Sequence, residues 1–174
     1  GLYGSHEIEF TKGLIHINPF GLIGKKFENI IEPHAHNRLF QIFLIQKGTT
    51  HLLFKNEKYI IQQPTIVTIP KNTIHGFEHK NEVGGWIISL SDTVLEHMIY
   101  RDASVVDTLE DAHIISIKEE TLSEEIEKAI YKCVLEYKTE KPGRLLMLEY
   151  LVGQLIILLY RVPQNEKQKL NPVD

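Results

Sequence analysis

The chain has 174 residues, 43% of them hydrophobic and 24% charged, which is enough for one barrel with a helical extension but short for two independent domains. Its net charge of −4, without any cluster of Lys and Arg, excludes a duplex-binding surface of its own. The single cysteine, Cys133, excludes an internal disulfide and a cysteine-based zinc site, and it suits a cytoplasmic location.

The first half of the chain consists of short segments rich in Ile, Val, Thr and aromatic residues, which is typical of strands. The predicted strands are 8–17, 26–31, 39–47, 50–54, 58–62, 65–69, 74–78 and 86–91. Lys55, Asn56 and Glu57 predict a tight hairpin turn, because Asn tolerates the left-handed region. Regularly spaced strands without helices between them favour a sandwich or barrel over a parallel sheet. Both faces of 40–45 are apolar, so that strand is expected to be buried on both sides.

Helices are predicted further along the chain. Asp92 is expected to cap a short helix, residues 101–113 are acidic and irregular, and 114–117 are predicted as one further strand. Thr121 and Glu124 have the spacing of a capping box at the start of a longer helix. The apolar stripe of that helix comprises Leu122, Ile126, Ala129, Ile130, Cys133, Val134 and Tyr137.

The second long helix, about 144–161, is apolar around most of its circumference and must be buried on more than one side. We expect the 145–159 segment to form a homodimer contact, with Gly153 allowing close approach of backbones; the alternative is the central helix of a monomeric annex. No membrane span is predicted, because the apolar run is short and Glu149 interrupts it. Residues 163–174 have linker composition. The predicted organisation is a barrel with a short helix over 7–118, a two-helix dimerisation annex over 119–162 and a linker-like tail over 163–174.

Two half-motifs carry the candidate chemistry. His34 and His36 are followed by Gln41 and Gly48, and a second, Pro-initiated segment ends at His75. Two histidines one residue apart lie on the same face of a strand, because strand side chains alternate. A third histidine from a neighbouring strand can converge with them inside a barrel. Such a group is either a metal site or a small-molecule pocket.

The two half-motifs resemble the signatures of the cupin barrel, Gly-x5-His-x-His-x3-4-Glu-x6-Gly and Gly-x5-Pro-x-Gly-x2-His. The resemblance implies a mainly β protein, a double-stranded β-helix or jelly-roll barrel, here with a C-terminal α-helical annex. Gln41 stands where the pattern has a metal-binding Glu, and Pro64 and Asn72 replace the two glycines of the second motif. Cupins carry an Asn four residues after the last His of the second signature, and here that position is His79.

Two readings of this site remain open. His34, His36 and His75, with Gln41, could hold a divalent metal such as Zn, Ni, Fe or Cu. A neutral amide in place of a carboxylate removes one unit of favourable charge, so weak metal binding is expected. The same four residues could instead hydrogen-bond a ligand, and the more cationic site would favour an anion, with an aromatic carboxylate as the expected class.

Other residues are candidates for the walls of the pocket. Phe77 shares strand parity with His75 and is expected to face the cavity. Trp86 is a candidate aromatic wall, with a packing role as the alternative. Arg38 could bind a ligand carboxylate bidentately, with simple exposure as the alternative. The remaining histidines, expected at the surface or partly buried, are His16, His51, His79, His97 and His113.

The segments 33–45, 67–77 and 85–90 resemble the amino-terminal effector domain of AraC-type transcription regulators, in particular those that respond to hydroxylated aromatic acids. The resemblance implies that the pocket receives a small-molecule effector and that the two C-terminal helices form the dimer contact. Members normally continue into a basic domain with two helix-turn-helix units, which this chain lacks, so DNA contact is expected only through that missing domain.

The predicted function is therefore the ligand-sensing and dimerisation domain of a bacterial AraC-type regulator, which is not an enzyme. The alternative is a stand-alone metal-dependent cupin enzyme that binds metal through the three histidines. Gln41 in place of Glu and the linker-like tail favour the sensor.

Overall fold

The computed structural model describes residues 15–21, 30–35, 38–62, 64–99, 101–107 and 109–170. The strands are β1 (Ile15–Phe20), β2 (Ile30–His34), β3 (Leu39–Lys47), β4 (Thr50–Phe54), β5 (Glu57–Ile61), β6 (Thr65–Ile69), β7 (His75–His79), β8 (Gly84–Ser91), β9 (Ala112–Ile115) and β10 (Lys167–Leu170). The helices are α1 (Asp92–Ile99), α2 (Ala103–Asp107), α3 (Glu120–Lys138) and α4 (Arg144–Tyr160), and a 3-10 turn spans Gln164–Glu166. Over these residues the protein is mainly β with C-terminal helices, as predicted.

The strands form two antiparallel sheets. The six-stranded sheet has the order β1-β8-β3-β6-β9-β10, and the four-stranded sheet has the order β2-β7-β4-β5. Strands β3, β4 and β6 have the predicted bounds, and β5 and β7 differ from prediction by one residue. The predicted stretches 8–14 and 26–29 lie outside the described residues. The predicted hairpin turn between β4 and β5 is confirmed, with positive φ at Lys55 (45°) and Asn56 (67°).

Two apolar clusters lie on opposite faces of the six-stranded sheet. In β3, Phe43 and Ile45 belong to the cluster between the two sheets, which is the barrel interior. Phe40, Ile42 and Leu44 belong to the cluster between the sheet and the helices. Alternation of side chains therefore buries both faces of β3, as predicted. At Gly85 of β8 a Cβ would lie 1.8 Å from the Leu44 carbonyl oxygen, so only glycine permits this close approach of β8 to β3.

The helical annex covers the outer face of the six-stranded sheet. The predicted stripe of α3 is confirmed, since its buried residues are Ile126, Ala129, Ile130, Cys133 and Val134. The predicted capping box is wrong. Helix α3 begins at Glu120, Glu119 occupies the cap position without a side-chain hydrogen bond, and the Ser123 N–H already donates to the Glu119 carbonyl. The helix therefore starts before Thr121. Within the described residues no helix is both long and apolar enough to cross a membrane.

Two further local predictions are corrected. Ser91, and not Asp92, caps α1, because its Oγ accepts a hydrogen bond of 3.4 Å from the Val94 N–H. The tail is not a linker over 164–170, because β10 pairs with β9 and extends the sheet. Leu170 is 2% exposed in the barrel interior, and the Lys169 ammonium lies 3.2 Å from the Asp111 carboxylate. The composition of this segment did not predict the pairing, because the outward positions of the edge strand carry polar residues.

Candidate functional site

Three phenylalanine rings lie across the barrel interior. Phe20 of β1, Phe43 of β3 and Phe77 of β7 are each at most 3% exposed. Their ring centroids lie 4.9 Å apart for Phe20 and Phe77, 4.9 Å for Phe43 and Phe77, and 5.6 Å for Phe20 and Phe43. We call these three residues the phenylalanine layer. Because Phe77 stands between His75 and His79 on β7, the layer separates the polar groups of the interior into two sets.

The first set contains an amide with an unpaired oxygen. Gln41 is 8% exposed and lies opposite Ser89 in the β3–β8 register. Its Nε2 donates a hydrogen bond of 3.1 Å to Ser89 Oγ. Its Oε1 is buried and has no hydrogen-bond donor among the described residues. The cross-strand neighbour on the other side is the apolar Ile69, so the sheet itself offers no donor to this oxygen.

His75 is the second member of this set. It is 2% exposed at the start of β7, and its ring centroid lies 5.9 Å from that of Phe43. The Nδ1–H donates a hydrogen bond of 2.8 Å to the Thr73 carbonyl, so Nε2 is the ring nitrogen with the lone pair in the neutral imidazole. The turn that precedes His75 has φ of 58° at Asn72. Asn tolerates this left-handed conformation, which explains how it replaces the glycine of the cupin signature.

The register of β2 brings the first half-motif beside the second. His34 pairs directly with His75, after a register shift between Ile31 and His34. The side chain of His34 and all of His36 lie outside the described residues, so the predicted convergence of three imidazoles stays a prediction. Among the described side chains, no three from His, Cys, Asp and Glu come together in a way that could hold a metal ion.

The remaining predicted site residues divide between the interior and the outside. Phe77 faces the interior, as predicted, within the phenylalanine layer. Trp86 does not line the interior: it packs against the cluster under the helices, and the Lys138 ammonium lies 4.8 Å from its ring centroid. The alternation of β8 directs Ile87 to the interior and Trp86 to the annex. Arg38 is exposed at the surface before β3. Trp86 and Arg38 are therefore removed from the interior site.

The second polar set lies on the other side of the phenylalanine layer. His79 is 5% exposed, so it is more deeply buried than the surface or partly buried position expected for it. Its Nδ1 lies 2.8 Å from Thr50 Oγ1, and its ring is edge-on to Phe20 at 5.1 Å. Burial lowers the pKa of His79 below its ordinary value. The alternation of side chains along a strand could have indicated this position in the interior. His79 lies two residues beyond Phe77 and is therefore on the same face of β7.

Ser89 and Thr50 are further partners in the interior that the sequence did not predict. Each is identified by a cross-strand pairing, Gln41 with Ser89 and Thr50 with His79. Such pairings follow from the register, and the register depends on which strands are neighbours in the sheets. Small hydroxyl side chains in apolar strands give no signal of their own.

Comparison with known proteins identifies the family. The family model described as the AraC-like ligand binding domain matches residues 23–128. That range is more than half of the 174 residues, and the chain therefore belongs to this family. The predicted cupin-type jelly-roll barrel with a C-terminal helical annex is thus confirmed. No curated protein sequence matches the chain.

Solved structures are similar to this chain at low sequence identity. ToxT from Vibrio cholerae, bound to (E)-4-(8-methylnaphthalen-1-yl)but-3-enoic acid, is 15% identical with a TM-score of 0.50, over 80% of this chain and 53% of that chain. A second ToxT structure is 16% identical with a TM-score of 0.49 over the same shares. A cupin-2 domain containing protein from Shewanella frigidimarina is 21% identical with a TM-score of 0.36, over 44% of this chain and 68% of that chain. The chain thus spans about half the length of ToxT.

Proposed function

We propose that the chain is the ligand-sensing and dimerisation domain of an AraC-type transcription regulator. The end of the interior that contains Gln41, Ser89 and His75 would receive a small-molecule effector. The observation that carries this proposal is the Gln41 carbonyl oxygen, buried without a donor among the described residues. Such a group costs about 1–3 kcal/mol unless a partner supplies a hydrogen bond. A ligand that donates to Oε1 would remove that cost, and the family match makes ligand binding the natural reason for keeping it.

The chemistry around Gln41 favours a hydroxylated aromatic ring, and an acid of that class is proposed as the effector because the segments 33–45, 67–77 and 85–90 resemble regulators that respond to such acids. A ligand hydroxyl would donate to Gln41 Oε1, and the Phe43 ring would contact an aromatic ring. No Lys or Arg is buried in the described part of the chain. A carboxylate would therefore depend on histidine, because a protonated imidazole donates from both ring nitrogens.

A thermal-shift panel tests the ligand site. The panel contains small aromatic carboxylates, their hydroxylated forms and neutral sugars. A ligand at about 100 times its Kd stabilises the folded state by about 2.7 kcal/mol. For a protein of this size, that raises the Tm by roughly 5–10 °C. Gln41→Met and His75→Ala should reduce the shift, and His97→Ala, which changes an exposed residue of α1, should not.

Each outcome of the panel has a separate meaning. If neutral sugars shift the Tm and carboxylates do not, the sensor proposal stands and the aromatic acid is wrong. If the Gln41 and His75 variants respond like the unmutated chain to every active compound, the site is misplaced. If no compound acts, the choice of the Gln41 end as an effector site loses its support.

The second part of the proposal is a homodimer through the annex. The large apolar side chains exposed on α3 and α4 are Tyr131, Leu135, Leu145, Leu146, Met147, Tyr150, Ile157 and Tyr160. Leu146, Tyr150 and Ile157 recur at helical spacing on one side of α4. Leu155 and Leu158 of the same helix are buried within the monomer, at 0% and 6% exposure. A second copy covering the Leu146 side would bury apolar surface that the monomer leaves in water.

Light scattering tests the dimer. Tyr150 is 70% exposed, so Tyr150→Glu should disrupt the contact without disturbing the core, and it should give a monomer with unchanged helix content by circular dichroism. Thr93→Glu on α1 adds the same charge at an exposed position outside this surface and should remain a dimer. A monodisperse monomer of the unmutated chain at roughly 50 µM, well above the micromolar Kd of a modest contact, would contradict the proposal.

One observation favours the second candidate, a metal-dependent cupin enzyme: the direct pairing of His34 with His75. Imidazoles suit Zn, Ni, Fe and Cu. The donors described at this end are one imidazole, His75, and one amide oxygen, that of Gln41. Metal that is sub-stoichiometric or lost to a chelator is expected. A full equivalent of iron by elemental analysis, with oxygen-dependent turnover of a substrate, would support the enzyme instead.

The regulatory output is proposed to depend on a DNA-binding domain outside these 174 residues. The ligand would bias the relative arrangement of two such domains through the dimer. The chain by itself should not retard a DNA duplex in a gel at about 150 mM salt, because counterion release needs clustered cationic groups. Retardation that decreases steeply with salt would contradict this view.

A further inference from the structure

We propose that the interior holds a second ligand site, beyond the phenylalanine layer, in which His79 Nε2 accepts a hydrogen bond from the hydroxyl group of a small neutral aromatic alcohol of the phenol class. The site consists of His79 and Thr50 as its polar groups and Phe20 and Phe77 as aromatic walls. It is separate from the Gln41 end, for which the effector was proposed above.

The hydrogen bonds of Thr50 determine which nitrogen of His79 carries the proton. Thr50 is 0% exposed, and its Oγ1 donates a hydrogen bond of 3.3 Å to the Glu78 carbonyl. A hydroxyl has one proton, and Thr50 uses it in the bond to the Glu78 carbonyl. In the contact of 2.8 Å between Thr50 Oγ1 and His79 Nδ1, the imidazole N–H is therefore the donor. The neutral ring therefore has its proton on Nδ1 and a lone pair on Nε2.

The Nε2 lone pair is an acceptor that has no donor among the residues that the structure describes. The atom is buried and has no hydrogen-bond partner in the described part of the chain. Burial also lowers the pKa of the ring, which keeps it neutral and keeps the lone pair available. A buried polar atom without a partner is uncommon in folded proteins and calls for an explanation. A bound ligand that donates a hydrogen bond to Nε2 supplies this explanation.

The surroundings select the class of donor. The Phe20 ring meets the His79 ring edge-on at 5.1 Å, and the Phe77 ring lies 6.4 Å away, so the rest of a ligand would contact aromatic surface. A carboxylate would place negative charge against an acceptor lone pair, and no buried Lys or Arg compensates it in the described chain. A neutral hydroxyl on an aromatic ring donates to Nε2 without adding charge, and its ring contacts the aromatic walls.

The second site is distinct from the first. His75 and His79 are four residues apart on β7, which corresponds to roughly 13 Å at about 3.3 Å per residue. Phe77 stands between them and contacts both Phe20 and Phe43. A small ligand at one end therefore does not reach the polar groups at the other. Substitutions at the two ends should act independently.

The probe is phenol, and anisole is the matched control because its methyl ether keeps the ring and removes the donor. The chain is labelled with 15N-histidine and titrated with each compound. We expect phenol to shift the His79 Nε2 resonance saturably, with anisole binding at least about tenfold more weakly, which equals about 1.4 kcal/mol. His97→Ala, at an exposed position of α1, should leave the affinity for phenol unchanged.

Two variants test the role of His79, so that the test does not depend on the correct folding of a single variant. His79→Phe keeps a ring and removes the acceptor, and it should weaken phenol binding about tenfold. Thr50→Val removes the partner of Nδ1, so the proton can move to Nε2, and the 15N spectrum should show a mixture of tautomers with weaker phenol binding. Equal affinity for phenol and anisole, phenol shifts confined to His75, or no saturable shift at His79 would each overturn the proposal. The last result would leave a buried water as the donor to Nε2.

Discussion

Substitutions at the Gln41–Ser89 pair separate the role of Gln41 in ligand binding from its effect on the free energy of unfolding. Removing only Ser89 Oγ, by Ser89→Ala, leaves both ends of the buried Gln41 amide without a partner in the described chain. Such a loss should lower the free energy of unfolding by about 1–3 kcal/mol. Replacing both partners, by Gln41→Leu with Ser89→Ala, removes the hydrogen bond and also the unpaired oxygen. Because a buried unpaired acceptor costs about 1–3 kcal/mol and one hydrogen bond contributes about 0.5–1.5 kcal/mol, the double variant should be more stable by up to about 2.5 kcal/mol.

Urea denaturation of the ligand-free proteins measures these values, and thermal melts provide a second assay. At about 2–4 °C per kcal/mol for this chain length, the double variant should melt up to roughly 10 °C higher than the unmutated chain. Thr68→Val is the matched control: Thr68 is 1% exposed, its Oγ1 has no partner among the described residues, and it lies on the β6 face away from the interior. Thr68→Val should also stabilise, but it should keep the response to ligand that the double variant loses. A double variant destabilised by more than about 1 kcal/mol would refute the reasoning, because the amide would then be a structural group.

Two further predictions concern pH and thiol reactivity. The pKa values of His79 and His113 are lowered mainly by burial, so the unfolded chain takes up protons first as the pH falls. Stability should therefore be highest above the ordinary histidine pKa of about 6.5 and decrease below it, with His79 contributing a slope of at most about 1.4 kcal/mol per pH unit. Urea unfolding between about pH 8 and pH 5 measures the slope, and an unchanged slope in His79→Phe would contradict the assignment. Burial raises the pKa of the Cys133 thiol to about 12, so iodoacetamide should modify it only through unfolding; modification within minutes under native conditions would show that the thiol is accessible.

Much of the fold could be predicted from the sequence because the strands are apolar, β-branched and separated by turn residues. Strands β3, β4 and β6 and the stripe of α3 follow from such patterns. The orientation of Trp86 could not be predicted, because β8 carries apolar residues on both faces and alternation alone does not tell which face meets the interior. The β10 strand was missed because only Leu170 in its four residues is buried.

The half-motif spacing drew attention to residues that the fold buries or brings together. Gln41 and His75 are buried, and His34 pairs with His75. The second polar set was missed because a lone histidine carries no functional signal in a sequence. His79 became identifiable only when the register placed Thr50 beside it and the rings surrounded it. Cross-strand partners depend on topology, which the local pattern does not encode.

Calorimetric titration of an effector identified in the ligand panel, into the unmutated chain and into Gln41→Met, tests the central claim most directly. We expect saturable binding to the unmutated chain near one ligand per chain, and an affinity lower by at least about tenfold, or about 1.4 kcal/mol, in Gln41→Met. The same variant should remain folded, since the substitution conserves the length of the buried side chain. Equal affinity of the two proteins for the ligand would contradict the claim that the Gln41 end of the barrel is the effector site.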